Sequence, residues 1–555
     1  MNLFTFIGLE FHNNRMWKWA SVEKALDFME EFGMNALIFH QNDIIDQVVL
    51  PEKYFTEEEM WAYWPIRYCN IGSRGRYLAR LLDECERRKI DFYLEVKEIW
   101  YPEAILDQFP GLRNEEGHIC PTDPFWFPFF RDKITELLEK FPTIKGIIVS
   151  PATRESKISI AAGQCHCERC KKVNEKEWYQ AYLQAIYGAL AERGKKLVVR
   201  DFAYEKDSQN AVVEAAEECS REIVIALKNV PHDFWPTFPN NPAIRKETAL
   251  EKWIEYDVWG QYCGLGVFPC SLLEDISYRQ KYCLEHGSSG IWYRTDWELL
   301  DEGSCFNSLN LLNLIGAVMY ARNPDCSRRE IYEKFLKYGL HTAWREESSR
   351  MPPQYPVGEH ALEQMVYLME SSREIILKTL YVRGHVFSYS SRYQHSYQSI
   401  YNVMNVYHKR YQWDEASRLD ILPTKDNLAL IYQEKEEALE LARSLAENFH
   451  PEDLGVADWM CGDLKEMLYL FPMYVEGFYL SAKVYFGSGY WMECADGLEV
   501  LKKDLDSLRQ FCIRLRSVWD HSHYPFYVYW MMDVGELECL AADIEKKTGG
   551  SLWAG

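Results

Sequence analysis

A lysine and an aspartate five residues apart, Lys228 and Asp233, follow the strongly apolar run Ile223 to Leu227. An ammonium and a carboxylate are groups with which enzymes bind anions and move protons. In a parallel α/β barrel, the catalytic groups lie at the carboxyl ends of the strands. This segment therefore predicts one part of an active site at the rim of such a barrel.

Short apolar runs alternate with amphipathic segments of helical length through the first 324 residues. This alternation is typical of strand–helix units around a parallel sheet. Eight such units predict an α/β protein with a (β/α)8 TIM barrel over residues 1–324. The predicted strands are Leu3 to Glu10, Ala36 to His40, Phe92 to Val96, Gly146 to Ser150, Leu197 to Asp201, Ile223 to Lys228, Val258 to Tyr262 and Gly290 to Tyr293.

The rest of the chain has a different pattern. From Asn323 and Pro324 onward, strand-like runs give way to long amphipathic segments, which predict a mainly α-helical domain over residues 325–555. Two stretches there are predicted to be loops: Ser349 to Gly358, which is rich in proline, and Tyr389 to Tyr401, which is rich in serine and tyrosine.

Composition narrows the range of partners. The formal net charge is −22, with 62 basic and 84 acidic side chains, and this charge repels polyphosphate, so we expect no nucleic-acid partner. No window has the roughly 18 uninterrupted apolar residues of a membrane span, so we expect no membrane partner. The scattered cysteines and the absence of a basic leader favour a reduced, cytoplasmic protein. The sequence does not decide whether the protein forms a homo-oligomer.

Charged and aromatic residues recur where the strands are predicted to end. Cations there would bind the carboxylate of an acidic sugar, a protonated acid would donate to the leaving oxygen, and an ionised acid would activate water. Aromatic rings such as Trp292 would contact the apolar face of the sugar. Solvated loop charges, ion pairs and core packing are the alternatives. The polar candidates are Glu10, Asn42, Asp43, Glu95, Lys97, Glu98, Glu155, Arg200, Asp201, Lys228, Asp233, Asp257, Gln261, Arg294 and Asp296.

Several of these segments resemble the α-glucuronidases of glycoside hydrolase family 67. The resemblance runs through most of residues 1–340 and is weak in the helical remainder. It implies a glycosidase that acts on a uronic-acid-containing or related oligosaccharide, by inversion, in polysaccharide degradation. The matching segments are Gly33 to Ala36 with Asn42, Leu197 to Arg200 with Phe202 and Tyr204, Lys228 to Phe234, Gln261 to Gly264, and Ala321 to Asp325.

The resemblance also implies roles for individual residues. Asp233 matches a catalytic base, and Lys228 and Arg200 match the cations that hold the uronate. Asn42 and Trp292 are expected to be further substrate contacts. The family's general-acid motif is replaced by Ser150 to Glu155; we choose Glu155 because it is the only carboxylate of that loop before the cysteine cluster.

Gln261 stands where the family has a second catalytic carboxylate. An amide cannot accept a proton from water and can only orient it, so Gln261 is expected to contact substrate. Two alternatives follow. Either Asp233 alone is the base, supported by Asp257 or Glu255, or the barrel has lost hydrolysis and is a non-catalytic carbohydrate-binding protein.

Three cysteines, Cys165, Cys167 and Cys170, form a C-x-C-x-x-C cluster that the α-glucuronidases lack. Thiolates at this spacing can ligate zinc. We expect a structural zinc and no cofactor in catalysis itself. Reduced thiols that stabilise a loop are one alternative, and a metal-dependent enzyme of another kind is a second. The fourth ligand would be His166, Cys120 or Cys263.

Overall fold

The predicted barrel is confirmed. The computed structural model of the protein describes residues 3–114, 116–163, 165–342, 357–406, 416–494 and 497–548. Within them, eight parallel strands close into a barrel in sequence order, and the last strand pairs with the first. These strands are β1 Phe6–Phe11, β2 Ala36–His40, β3 Asp91–Val96, β4 Gly146–Val149, β5 Lys196–Arg200, β6 Val224–Lys228, β7 Glu251–Asp257 and β8 Ser288–Arg294.

Helices follow the strands and cover the outside of the barrel. The first shows why they form: it buries Val22, Leu26 and Met29 at helical spacing and ends at Gly33, which takes a left-handed φ of 70°. The helices of this part are α1 Trp19–Phe32, α2 Glu57–Tyr63, α3 Pro65–Arg88, α4 Ala104–Gln108, α5 Trp126–Lys140, α6 Glu175–Ala191, α7 Lys206–Cys219, α8 Leu273–Glu285 and α9 Leu311–Arg322.

One strand prediction was wrong. The seventh strand was placed at Val258 to Tyr262, whereas β7 is Glu251–Asp257. Its apolar pattern is interrupted by charged residues that are nevertheless buried. Lys252 donates to backbone carbonyl oxygens of two neighbouring loops (2.7 and 2.6 Å), and Glu255 forms an ion pair with Arg200 inside the barrel.

Towards the amino ends of the strands, the barrel interior is a packed apolar core. Phe6 stacks on Trp253, with ring centroids 3.7 Å apart. Glycines make room for the large rings: a Cβ on Gly290 would come within 2.3 Å of the Trp253 ring. Since this core fills the barrel, substrate access is confined to the carboxyl ends of the strands.

The chain beyond the barrel is mainly helical, as predicted, and the boundary at residue 324 stays a prediction. Most of the predicted loop Ser349 to Gly358 lies outside the described residues. In the described part, no helix is long and apolar enough to cross a membrane. A short hairpin, β9 Tyr381–Val382 and β10 His385–Val386, interrupts the helices. The helices are α10 Arg328–Tyr338, α11 Glu359–Leu380, α12 Tyr397–Tyr401, α13 Lys425–Asn448, α14 Asp458–Tyr490, α15 Gly497–Trp519, α16 Phe526–Met531 and α17 Val534–Lys547.

Candidate active site at the barrel mouth

Arg200, the last residue of β5, lies in a buried layer of charged side chains that spans the barrel. Its guanidinium donates two hydrogen bonds to Glu255 (2.6 and 2.7 Å) and lies 3.3 Å from a carboxylate oxygen of Glu95. Burial raises the pKa of Glu95 well above its ordinary value, although Arg200 opposes this. Because the donors of Arg200 are engaged by Glu255, Glu95 and Ser150 inside the barrel, we assign it to this layer, which corrects the expectation that it binds substrate.

Asp233 lies in the turn that follows β6. Lys228 donates to Asp233 Oδ1 (3.0 Å), the backbone N–H of Phe234 donates to the same oxygen (3.1 Å), and the hydroxyl of Tyr262 donates to Oδ2. Burial alone would raise the pKa of Asp233, but the charges of Lys228 and Arg294 outweigh it and hold that pKa below its ordinary value. Asp233 is therefore an ionised carboxylate whose two oxygens are both oriented.

Phe202, in the loop after β5, lies near two lysines at the mouth. The Nζ atom of Lys228 lies 3.7 Å from the centroid of the Phe202 ring, and that of Lys97 lies 5.9 Å from it. The negative face of an aromatic ring stabilises a nearby ammonium. The Phe202 ring is thus a common neighbour of Lys228 and Lys97.

Glu155 lies on the Lys97 side. Tyr204 donates to Glu155 Oε1 (3.2 Å), and the Tyr204 ring lies 4.5 Å from the ring of His232, which precedes Asp233. Tyr389, from the helical part, packs near Tyr262, with ring centroids 6.2 Å apart; burial first, and then the charges of Asp233 and Glu155, raise the pKa of its hydroxyl. The structure therefore brings Glu155 and Asp233 together around one mouth, from loops after β4 and β6.

Lys97, just beyond β3, lies between two carboxyl groups. It forms a hydrogen-bonded ion pair with Glu155 and lies 3.9 Å from Glu298. Glu298 is also 3.1 Å from His12, and burial raises its pKa although Lys97 opposes this. The side chains of Glu155 and Glu298 are 34% and 36% exposed, so both reach solvent. Sequence reasoning missed Glu298, although it lies only four residues beyond β8.

Gln261 is fixed by hydrogen bonds in the wall of the mouth. Arg294 donates to its side-chain oxygen (2.6 Å), and its amide nitrogen donates to the hydroxyls of Tyr262 (3.2 Å) and Ser390 (3.1 Å). Since Tyr262 in turn donates to Asp233, Gln261 supports the base through an intermediate residue. Gln261 is 2% exposed, so its role in this structure is to position Tyr262 and Arg294.

The helical part completes the site with the segment Tyr389 to Ser391. Ser391 Oγ donates to the carbonyl oxygen of Gln261 (2.7 Å) and accepts from the backbone N–H of Gly264 (3.0 Å). Sequence reasoning predicted a loop over Tyr389 to Tyr401, which is wrong for Tyr397–Tyr401, the helix α12, and it did not place this segment at the barrel mouth. Its composition of serine and tyrosine, which are hydrogen-bonding residues, was the available signal.

Left-handed backbone conformations occur repeatedly around the mouth. Positive φ values are found at Ala152 (68°) and Arg154 (59°) ahead of Glu155, at His232 (64°) ahead of Asp233, and at Ser390 (54°) and Ser391 (58°). Residues other than glycine adopt this conformation at a cost that the surrounding structure must offset. Such strain typically gathers at functional sites, and here it flanks both candidate catalytic acids.

Two other predicted substrate contacts, Trp292 and Asn42, lie in different environments. Trp292 is fully buried inside the barrel, where its indole N–H donates to Glu10 (2.8 Å), so it packs the core and the expectation of a sugar contact is corrected. Asn42 lies in the turn after β2, and its buried Oδ1 accepts no hydrogen bond from the described residues. Among those residues, no hydrogen bond joins Asn42 to either candidate acid.

Two groups of side chains have the donor atoms of a metal site. One is Glu10, His12 and His40, and the other is four cysteines. The imidazoles of His12 and His40 stack with centroids 3.9 Å apart, and burial, with nearby cations that include Lys97 and Arg200, lowers both pKa values well below the ordinary one. These cations would repel a metal ion. The group of Glu10, His12 and His40 is therefore better suited to hydrogen bonds of uncharged imidazoles than to metal binding.

The mouth therefore contains the groups of an acid–base site for an anion. An ionised carboxylate, Asp233, pairs with Lys228, two other carboxyl groups, Glu155 and Glu298, lie near Lys97, and both lysines lie near the ring of Phe202. Such a site can remove a proton from water, donate one to a leaving oxygen and hold a carboxylate.

Comparison with known proteins supports the fold. No protein-family model matches the chain, and no curated protein does. Among solved structures, it is similar to a glycoside hydrolase family 138 enzyme that targets pectin rhamnogalacturonan II, with a TM-score of 0.58 and 13% identity over 92% of this chain and 62% of that one. The chain thus spans less than two thirds of that enzyme. An O-GlcNAc hydrolase mutant of Thermobaculum terrenum matches with a TM-score of 0.42 and 10% identity, over 99% of this chain and 96% of that one.

Proposed function

We propose that this protein is a glycoside hydrolase that cleaves a glycosidic bond of an acidic sugar. The observation that carries the proposal is the placement of Asp233, ionised beside Lys228 and Tyr262, around one mouth with Glu155 beside Lys97. The fold is similar to that of a pectin-targeting hydrolase. Because barrels of one fold carry many chemistries, this is an analogy only, and the proposal rests on the residues of the site.

In the proposed reaction, Asp233 accepts a proton from water as that water attacks the anomeric carbon, and Glu155 donates a proton to the departing glycosidic oxygen. The product sugar would have the opposite anomeric configuration. Tyr262 and Lys228 hold the base in its ionised form, and neither needs to move during the step.

The substrate carboxylate is proposed to bind the two lysines. An ammonium has three N–H donors, so the hydrogen bond from Lys228 to Asp233 leaves donors for a ligand. A uronate at Lys97 would compete with Glu155 for that ammonium. Binding of an anionic substrate would thus loosen the ion pair that holds Glu155. A uronic acid of the kind that α-glucuronidases cleave fits this arrangement.

The carbohydrate-binding alternative depends on Gln261, the missing second carboxylate. Its hydrogen bonds to Arg294 and Tyr262 support Asp233, so the structure gives Gln261 a function that does not require a second base. We therefore favour hydrolysis with Asp233 as the only base.

A panel of aryl glycosides tests the proposal. The purified protein is incubated with α- and β-linked aryl uronides and with the matched neutral hexosides, and phenol release is measured. We expect release from at least one uronide, with kcat/KM at least about tenfold above that of its neutral counterpart, the equivalent of one charge-assisted contact of about 1.4 kcal/mol. Binding of uronides without any cleavage would support the non-catalytic alternative, and preference for neutral sugars would contradict the acidic substrate.

A further inference from the structure

Four cysteines from two separate loops converge at one point beside the barrel. Cys120 lies in the loop between α4 and α5, and Cys165, Cys167 and Cys170 lie in the loop between β4 and α6. All four Sγ atoms lie within 4.8 Å of one another. The Sγ atom of Cys120 is 3.6 Å from that of Cys167 and 3.5 Å from that of Cys170.

These distances suit a tetrahedral metal ion better than disulfides. Four sulfurs at the zinc–sulfur bond length of about 2.3 Å lie about 3.8 Å apart, whereas a disulfide bond is about 2.05 Å long. All sixteen cysteines are free thiols. Simple burial does not explain the convergence either, because Cys167 and Cys170 are only half-buried.

The surroundings of the sulfurs are polar and suit thiolates. Thr122 Oγ1 lies 3.1 Å from the Sγ atom of Cys120 and 3.5 Å from that of Cys170. The guanidinium of Arg169 lies 3.9 Å from the Sγ atom of Cys120. Donors and a cation around the ligands stabilise the negative charge that four thiolates retain around a divalent metal.

We propose that Cys120, Cys165, Cys167 and Cys170 bind one Zn²⁺ ion as a tetrathiolate structural site. Four thiolates complete the tetrahedral shell of zinc and leave no position for water or substrate, so the ion takes no part in the reaction. Of the three candidates for the fourth ligand, Cys120 lies in the cluster, whereas His166 and Cys263 lie outside it.

The site joins the loop after β3 to the loop after β4. The second of these loops spans residues 150–174, and its described residues, 150–163 and 165–174, contain one helical element, the short 3₁₀ turn Cys170–Lys172. Its first half is attached to the β3 loop by a bridge between Ile99 and Ile158 and by the hydrogen bond from Glu98 N to Ser156 Oγ (2.8 Å). Zinc would attach the second half to the same loop and reduce the conformational freedom of the whole segment.

Glu155 belongs to this zinc-held loop. If Glu155 is the general acid, a point that rests on the proposed function, zinc also fixes the position of the acid. Metal binding itself does not depend on the protein being a glycosidase, so the two proposals can fail separately.

Metal analysis of the whole protein tests the site. Zinc and iron are measured by plasma mass spectrometry in protein purified under reducing conditions, and we expect about one zinc per chain. Cys120→Ser and Cys167→Ser should lose at least about nine tenths of it, because each removes a thiolate ligand. Cys69→Ser and Cys539→Ser, which change exposed cysteines outside the cluster, are the matched controls and should retain it.

Two further measurements test the zinc site in the wild-type protein, so they do not depend on how well a cysteine variant folds. Wild-type protein reconstituted with Co²⁺ should show the intense absorption of a tetrahedral tetrathiolate cobalt site. Removal of zinc from the wild type by a chelator should speed hydrogen exchange in residues 156–174, with the exchange of β1 to β8 unchanged. Metal-free wild-type protein, an iron–sulfur spectrum, disulfides among the four cysteines, or unchanged metal content in Cys120→Ser would each overturn the proposal.

Discussion

Replacing Asp233 by asparagine should lower kcat on an aryl uronide by about three to four orders of magnitude, the upper range for loss of a general base. Asparagine has nearly the same shape, and its one amide oxygen can still accept from Lys228 and from the backbone N–H of Phe234, while its NH2 group can donate to the hydroxyl oxygen of Tyr262. The amide cannot, however, take a proton from water. The pKa of Asp233 is held below its ordinary value, so the wild-type base is ionised near neutral pH and the loss should persist across that range. Steady-state kinetics on the Asp233→Asn variant measure it.

The control for this prediction is Asp207→Asn, the same chemical change at an exposed position in the first turn of α7. It should change kcat by less than about twofold, as expected for a surface substitution away from the site. Titration calorimetry with the free uronic acid should show that Asp233→Asn still binds ligand. A variant with near-normal turnover would remove Asp233 from the mechanism.

The second large effect is expected for Glu155→Gln, and its size should depend on the leaving group. A sugar alkoxide needs a proton to depart, so kcat on an oligosaccharide should fall about 10³-fold. A nitrophenolate is stable without one, so kcat on the activated aryl uronide should fall about tenfold or less. Parallel kinetics on the two substrates measure this difference, which loss of folding or of binding would not produce.

Glu298→Gln is the matched comparison, because Glu298 lies on the other side of Lys97 and burial raises its pKa. We expect modest losses that are similar on both substrates, since Glu298 is proposed to tune Lys97 and not to donate the proton. If the dependence on the leaving group occurs in Glu298→Gln and not in Glu155→Gln, the acid is Glu298.

The sequence was sufficient to predict the barrel, because most strands are continuous apolar runs that the parallel sheet buries on both faces. Strand β2, Ala36–His40, coincides with its prediction. The pattern failed at β7, where Glu255 is buried with Arg200 as its counter-charge. An ion pair between two strands cannot be recognised from the periodicity of either strand, so the strand was placed too late in the chain.

The same limit applies to the site. Residues that directly follow strands, such as Asp233 and Lys97, could be predicted, because barrel geometry brings strand ends together. How deeply a side chain is buried in the barrel could not be predicted, and both Arg200 and Trp292 lie inside the barrel. Contacts between distant segments could only be narrowed to candidates or were missed. Cys120 was one of three candidates for the fourth ligand, and Ser390 was not identified, because both residues reach their partners through tertiary packing alone.

The anomeric configuration of the first-formed product tests the central claim most directly. Hydrolysis of a cleaved aryl uronide by the wild-type protein is followed by proton NMR, at a protein concentration that completes cleavage before the product mutarotates. If Asp233 activates water for a single displacement, the first product signal belongs to the anomer opposite to that of the substrate. A first product with retained configuration would mean that a carboxylate attacks the sugar itself, and would contradict the role given to Asp233.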